Sequence, residues 1–441
     1  MPPGDDWSVV RLPRDAFSEY RVGLGSAVKS NVLASESFRP VLVLGPQRSF
    51  KTAGVAIPAA LDWPGSALIT SVRRDILDDT FKYRCSIGRV QIFDPGRTLA
   101  NTKYEPYCAS WDILARCKTW DDSVRTSRAL TESGRLGSGD LRDGLFWHSL
   151  AAQLLAPHLF AAATNGYTMA DVMRWIKTQE EFEVRALLQN TGLDFAIHAA
   201  ESAWQREDRA RSSVYTTLES ALRAFDYVES GVGLGPFIDI DRFLSAPADT
   251  LYLTAPPDEQ EEYQPLFTGL TRTVIREVYL RNQSAHDHRS GEDQDQTGLI
   301  ADQGCRLLLL LDEAGNIARL ENLSTLATTA AGTSVQLISI FHDISQIEAL
   351  YGRYEAQSIV NNHSALMVLP GTRDISTLSY LESLLKGERI GYSSDAQWTG
   401  PRPIRSMNRG EALLIYENLR PILINLRTKF NDDDIRAKVV M

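Results

Sequence analysis

Cysteine is scarce: the 441 residues hold only Cys85, Cys108, Cys117 and Cys305, none of them in a C-x-x-C pair. That usage argues against a zinc ribbon or a disulfide framework and fits a reducing cytosol. Long apolar runs are also missing. The longest aliphatic stretch, Leu307 to Leu311, stops at two carboxylates, far short of the ~20 residues a bilayer span needs. The N-terminal MPPGDDWSVVRLPRDAF has no signal-peptide apolar core. The chain as given is therefore not expected to be an integral membrane protein. Nor is there an excess of positive charge. A formal net charge of -10 disfavours nonspecific coating of duplex DNA and confines any nucleic-acid contact to a local basic patch or channel.

What is present is ordinary globular material, 43% hydrophobic and 23% charged, enough for a large core. The length favours two or three domains, or one large domain with an insertion. Short, continuous apolar runs read as buried parallel strands: VLVLG (41–45), SALITSV (66–72) and RVQIFDP (89–95), then TLYLTAP (250–256), CRLLLLLDEAG, VQLISIF and ALMVLP, with ALLIYE and PILINL as a closing pair. Helix-like segments between them predict an α/β fold with a mostly parallel central sheet. From Asp143 to Ser230 the periodicity is helical, and seams near Pro95-Gly96 and 231–236 frame it. The predicted organisation is an N-terminal extension (1–38), a nucleotide-binding domain (39–104 and 236–441) and an inserted all-α domain (105–235). Asn282 to Gly304 is so polar that a surface loop is expected, with His286 and His288 as solvent-facing decoration. The tail NDDDIRAKVVM is expected to be peripheral.

Three motifs carry chemistry. The first is Gly45-Pro46-Gln47-Arg48-Ser49-Phe50-Lys51-Thr52, which matches G-x-x-x-x-G-K-[ST] except that Phe50 stands at the second Gly. Backbone N–H groups of such a loop face phosphate oxygens at a helix N-terminus. Lys51 is the candidate for neutralising the β/γ-phosphates and Thr52 for ligating Mg²⁺ through its hydroxyl. Gly at position 50 would allow closer backbone approach and dihedrals that other residues avoid. The second motif is the aliphatic run ending in Asp312-Glu313. Asp312 is the candidate for holding Mg²⁺ through water, and Glu313 the candidate general base that polarises the attacking water. The third is IFHDISQIEALYG, with His342 at a strand tip as candidate γ-phosphate contact. A loop histidine followed by a helix capped by Asp343 is the simpler reading of the same residues.

With these residues assembled, the chain resembles the TraG/TraD-type coupling ATPases of conjugation and type IV secretion, especially their actinobacterial branch. The resemblance runs from about Arg39 to Arg427. It rests most specifically on LDEAGNIARLENL and SQIEALYG, together with VLVLGPQRSFKTAGVAIPAALDWPGSALITSVRRDIL and GEALLIYENLRPILINL. It implies a RecA-like P-loop core with an inserted all-α domain, ring-shaped hexamers, ATP and Mg²⁺ between subunits, and engagement of single-stranded DNA with its attached relaxase. It also implies that His342 falls where many members carry a nucleotide-sensing Gln. By the same resemblance the protein is expected in the cytoplasm, at the cytoplasmic face of the cell membrane. There it would work with type IV secretion components, reaching the membrane through partners or a missing N-terminal segment.

Three departures accompany the resemblance: Phe50; Ala330-Ala331, about where many relatives carry an Arg offered to the neighbouring subunit; and no N-terminal transmembrane helices. Losing such an Arg costs ~10³ or more in rate in related systems, and Arg353 is the candidate substitute. Two readings of function follow: an ATP-driven DNA-translocating motor, and a degenerate, non-hydrolysing adaptor that recruits relaxosome or effector proteins. A chromosome- or phage-type DNA pump fits the LDEAGNIARLENL and SQIEALYG segments less well.

Overall fold

The computed structural model describes residues 11–12, 20–28, 31–132, 141–227, 235–256, 258–291, 304–317, 319–386, 404 and 407–441. Its described strands form one sheet. In chain order these are β1 (Arg11–Leu12), β2 (Gly23–Val28), β3 (Asn31–Ala34), β4 (Val41–Leu44), β5 (Ser66–Ser71), β6 (Val90–Phe93), β7 (Cys108–Ala109), β8 (Thr250–Thr254), β9 (Leu307–Leu311), β10 (Val335–Phe341), β11 (Ala365–Val368), β12 (Glu411–Tyr416) and β13 (Ile422–Asn425). The spatial order is β1-β3-β2-β13-β12-β11-β4-β10-β9-β5-β8-β6-β7. Neighbours from β11 to β7 pair in parallel. The other end is antiparallel.

Helices cover both faces, which is why the central strands read as unbroken apolar runs. On one face lie α1 (Ile57–Asp62) and α2 (Arg74–Ile87). They share a core with Val41, Val43, Leu308 and Leu310. The opposite side chains, Leu42, Leu44, Leu307, Leu309 and Leu311, face a second core. That core is continuous with the helical region: α3 (Trp120–Glu132), α4 (Leu141–Asn165), α5 (Met169–Thr178), α6 (Phe182–Asn190), α7 (Asp194–Trp204) and α8 (Asp208–Ala221). Then come α9 (Ile240–Ser245), the long α10 (Gln260–Gly291), α11 (Leu323–Thr329), α12 (Ile344–Tyr351), α13 (Arg353–Asn362) and α14 (Ile375–Leu385). The closing helix is α15, Asp433–Val440. Within the helical region, α4 supplies the fully buried Leu155 and Leu159 around which α3, α7 and α8 pack.

The parallel α/β architecture matches the sequence expectation, and four details differ from it. The polar stretch from Asn282 is not a loop where it is described: α10 continues through it to Gly291. Asn282 fixes this extension by donating to the carbonyls of Cys305 (3.0 Å) and Thr333 (2.6 Å) and accepting from the Cys305 amide (2.8 Å). Its polarity marks a solvated helix rather than a break. The remaining expected loop, and the side chains of His286 and His288, lie outside the described residues. Second, the N-terminal segment contributes β2 and β3 to the sheet, with Leu24 and Leu33 each 1% exposed. Third, Cys108–Ala109 continues the sheet beyond Tyr104, and Ser110 bridges to Phe237. Fourth, the tail is docked. Ile435 is fully buried, Lys438 meets Asp62 at 3.1 Å, and Arg427 pairs with both Asp62 and Asp432. These contacts tie the last helix to the C-terminal end of α1.

Candidate functional site

Strand β4 ends at Leu44, and the chain turns through residues 45–50 into a helical start at Lys51. Gly45 is required there, because an added Cβ would lie 2.6 Å from Ser49 Oγ and 2.8 Å from Leu369 Cβ. Its amide donates to the Phe341 carbonyl (3.2 Å), fixing the loop to the tip of β10. Ser49 Oγ donates to the Pro46 carbonyl (2.7 Å) and closes the loop on itself. Gln47 and Arg48 are exposed, whereas Pro46 and Phe50 are half-buried. The first helical turn, Thr52–Ala56, is π-helical and continues into α1.

Phe50 adopts the glycine-like conformation that its position calls for, with φ +72°. Its carbonyl accepts from the Gly54 amide (2.8 Å), and its ring rests on the sheet core. A left-handed non-glycine residue costs about 1–2 kcal/mol, and here the ring packing holds it in place. The loop shape is thus preserved without the glycine. Phe50→Gly should accordingly change nucleotide affinity by less than about tenfold, because ~1.4 kcal/mol, the scale of the relieved strain, corresponds to a factor of ten. Titration with a fluorescent nucleotide checks this. A gain of several orders of magnitude would show that the phenylalanine obstructs the phosphates after all.

The sequence-predicted site residues converge at the carboxyl edge of the sheet, where β4, β10, β9 and β5 lie side by side. Thr52 Oγ1 donates to Asp312 Oδ2 at 3.4 Å. The Asp312 carbonyl accepts from Thr70 Oγ1 on β5 (3.2 Å). Asp312 is 4% exposed, and its Oδ1 is buried without a hydrogen-bond partner. Burial, then the neighbouring Glu313 charge, pushes its carboxyl up to about 7. Lys51 Nζ donates to the Gly45 carbonyl (2.7 Å) and to His342 Nδ1 (2.6 Å), and stands 4.0 Å from Glu313 Oε1. Since Nδ1 accepts from the ammonium, Nε2 carries the imidazole proton and donates to Glu313 Oε2 at 3.1 Å. Burial lowers the Lys51 proton affinity, against the opposing pull of Glu313 and Asp312. For Glu313, burial acts upward, but the His342 hydrogen bond and the Lys51 charge prevail and hold it below the ordinary glutamate value.

His342 therefore bridges Lys51 and Glu313. Asp343 also does what the simpler reading expected, accepting from the Gln346 amide (2.8 Å) as cap of α12. Three neighbours escaped the sequence reading. Arg73, just beyond β5, is exposed, pairs with no carboxylate among the described residues, and contributes positive potential at both Lys51 and Glu313. Gln346 Oε1 accepts from the His342 amide (2.8 Å). Asn316 Nδ2 donates to Glu313 Oε2 (3.3 Å). The spacing of Asn316, three residues after Glu313, was visible. The placement of Arg73 required knowing that β5 neighbours β9. Arg353 lies exposed at the start of α13, with α12 between it and His342.

The oxygen pair of Thr52 and Asp312 suits Mg²⁺, a hard cation that accepts a carboxylate and a hydroxyl and takes the rest of its shell from water and phosphate. The unpartnered Asp312 Oδ1 is the observation that fits a cation there. Among the described residues no cluster of three or more His, Cys, Asp or Glu forms a metal cage of its own.

A family model described as type IV secretory system conjugative DNA transfer matches residues 15–389. The chain belongs to this family. Protein VirD4 of Rhizobium radiobacter is 22% identical over 392 residues, a match spanning 86% of this chain and 53% of that protein. Conjugal transfer protein TraG of Escherichia coli is 22% identical over 401 residues, spanning 87% and 60%. The family member described here thus spans a little over half the length of these relatives. The bacterial conjugative coupling protein TrwBdeltaN70 superimposes with a TM-score of 0.65 at 19% identity, over 89% of this chain and 85% of that one. TrwB in complex with ADP and Mg²⁺ gives a TM-score of 0.66 at 19% identity, over 89% and 86%. VirB4 of Thermoanaerobacter pseudethanolicus gives 0.53 at 11% identity, over 92% and 96%. The shared fold is the RecA-like P-loop core with a helical region. Among the described residues, no helix of this family member is long and apolar enough to cross a membrane.

Proposed function

We propose that this chain is the ATP-driven motor of a conjugative coupling protein, moving single-stranded DNA or a nucleoprotein into a type IV secretion apparatus. The observation that carries the reading is the convergence of Lys51, Thr52, Asp312 and Glu313 on one strand edge, with Thr52 Oγ1 and Asp312 Oδ2 at 3.4 Å. A core strand capped by solvent-facing acids would leave those acids exposed and unlinked to the loop.

The chemistry follows from the residues. Amides of 46–52 and the Lys51 ammonium receive the triphosphate tail. Lys51 exchanges its contacts with Gly45 and His342 for phosphate oxygens. Thr52 and Asp312 would hold Mg²⁺, which would supply positive charge to the phosphate tail. Glu313, kept ionised by its neighbours, accepts the proton of the attacking water. His342 touches both Lys51 and Glu313, so it is placed to register loss of the γ-phosphate. TrwB was solved with ADP and Mg²⁺, which supports the same ligands here. We assign residues 39–104 and 236–441, together with strands β1–β3 and β7 that extend the same sheet, to the motor core, and the helices within 105–235 to the helical domain. We further infer a homo-hexamer that works with a relaxase and secretion components at the cytoplasmic face of the membrane, with any second-subunit arginine, Arg353 included, acting across the ring. The non-hydrolysing adaptor is the second reading, and Phe50 is the residue that favours it.

The test is ATP turnover by the parent chain and Lys51→Ala, with and without single-stranded DNA. Turnover that DNA raises in the parent and that Lys51→Ala removes supports the motor. A parent that binds nucleotide and never hydrolyses it, with DNA present and the ring assembled, supports the adaptor.

A further inference from the structure

We propose that Asn316 is the positioning residue that orients the base, fixing Glu313 so that Oε1 alone faces the attacking water. The inference deepens the motor reading and rests on Glu313 acting there as base.

Glu313 sits in a tight turn with φ +56°, a conformation that needs support from its surroundings. The backbone supplies part of it. The Asn316 and Ile317 amides donate to the Glu313 carbonyl (2.8 and 3.2 Å), and the Ala314 amide donates to the Ile340 carbonyl (3.0 Å). The side chain is held separately. Asn316 Nδ2 and His342 Nε2 approach from different elements and converge on the same oxygen, Oε2, at 3.3 and 3.1 Å. Oε1 receives neither donor and faces Lys51 Nζ at 4.0 Å. A carboxylate with one oxygen doubly occupied presents the other as its proton acceptor.

Asn316 is itself anchored. Its carbonyl accepts from Gln264 Nε2 at 2.9 Å, and Gln264 is 3% exposed on α10. The same helix packs against the helical region: a Cβ on Gly269 would meet Trp111 at 2.9 Å and Leu130 at 3.3 Å. The turn that carries the base is thus pinned on one side by α10 and on the other by α12, where a Cβ on Gly315 would meet Leu350 at 2.8 Å and Gln346 Nε2 at 2.9 Å.

A merely structural role would lower stability and nucleotide affinity together, whereas misorientation of the base should lower kcat without changing ATP affinity. The experiment measures DNA-stimulated ATP turnover and ATP affinity of the full chain. Asn316→Ala should lower kcat roughly tenfold to hundredfold, part of the 10²–10⁴ that a positioned base contributes, with KM for ATP unchanged. Asn316→Gln should recover part of the loss. If Asn316→Ala melts early, Gln264→Leu, which keeps the asparagine and loosens its anchor, should lower kcat in the same way by less. A folded Asn316→Ala with unchanged kcat overturns the inference. If Glu313→Gln turns over ATP at the parental rate, it is the assignment of the base that fails, whatever Asn316→Ala shows.

Discussion

Asp312→Asn should make the nucleotide-free protein more stable above pH 7 while abolishing the Mg²⁺ dependence of nucleotide binding. The Asp312 carboxylate is buried, its Oδ1 has no partner, and its proton affinity is pushed up to about 7 from an ordinary 3.8. A folded-state value above the unfolded one means that the bound proton stabilises the fold. That stabilisation is fully present below the unfolded value and is lost as pH rises through the folded one, here between about 4 and 7. At about 1.4 kcal/mol per tenfold change in proton affinity, the loss is on the order of a few kcal/mol. Thermal melts from pH 5 to 8 should therefore fall in the parent and stay flatter in Asp312→Asn. Mg²⁺-nucleotide should restore the parent at the high end and raise the variant no further than metal-free nucleotide does. An Asp312→Asn protein that melts below the parent at pH 8 would mean that the carboxylate is a structural support rather than a metal ligand.

Glu313→Gln should bind ATP as the parent does and hydrolyse it roughly 10²–10⁴ times more slowly, the range expected for loss of a positioned general base. Glutamine keeps the size of the side chain and can still accept from His342 Nε2 and Asn316 Nδ2, so the turn should survive. The parent's pH profile is part of the prediction. His342 and Lys51 outweigh burial and hold Glu313 below the ordinary glutamate value. Turnover should accordingly lose its base only at a pH below that of an unperturbed glutamate. The two variants are distinguishable by binding: Asp312→Asn loses the metal-dependent part, and Glu313→Gln keeps it. Parental turnover in Glu313→Gln would remove Glu313 from the reaction.

Much of the core was legible because buried parallel strands leave a plain trace. VLVL and LLLLL are apolar at every position because helices cover both faces; the first ends at the Gly45 loop and the second at Asp312-Glu313. The helical region from α4 to α8 was legible for the corresponding reason, apolar stripes at helical spacing. Legibility failed where composition and environment diverge. Asn282 opens a polar stretch that reads as a break, yet its amide group bridges Cys305 and Thr333 and carries α10 onward. The tail looked peripheral because its single fully buried residue, Ile435, is surrounded by charges. Those charges are the ion pairs that dock it.

At the site, the sequence by itself determined the chemical inventory: a strand-to-helix loop carrying Lys51 and Thr52, and an acidic pair at the end of a buried strand. Short local patterns of this kind depend only on neighbours along the chain. The tertiary structure alone decided which groups meet. It placed β9 beside β10 and β5, set Thr52 against Asp312, turned His342 toward both Lys51 and Glu313, and brought Asn316 onto Glu313 under a helix from elsewhere in the chain. It also decided the meaning of Phe50, whose left-handed backbone preserves the loop that its side chain seemed to forbid. The physical reason is common to all of these. Proton affinity, backbone strain and metal fit depend on burial and on contacts between distant segments, and both exist only once the strands are ordered and the helices laid across them.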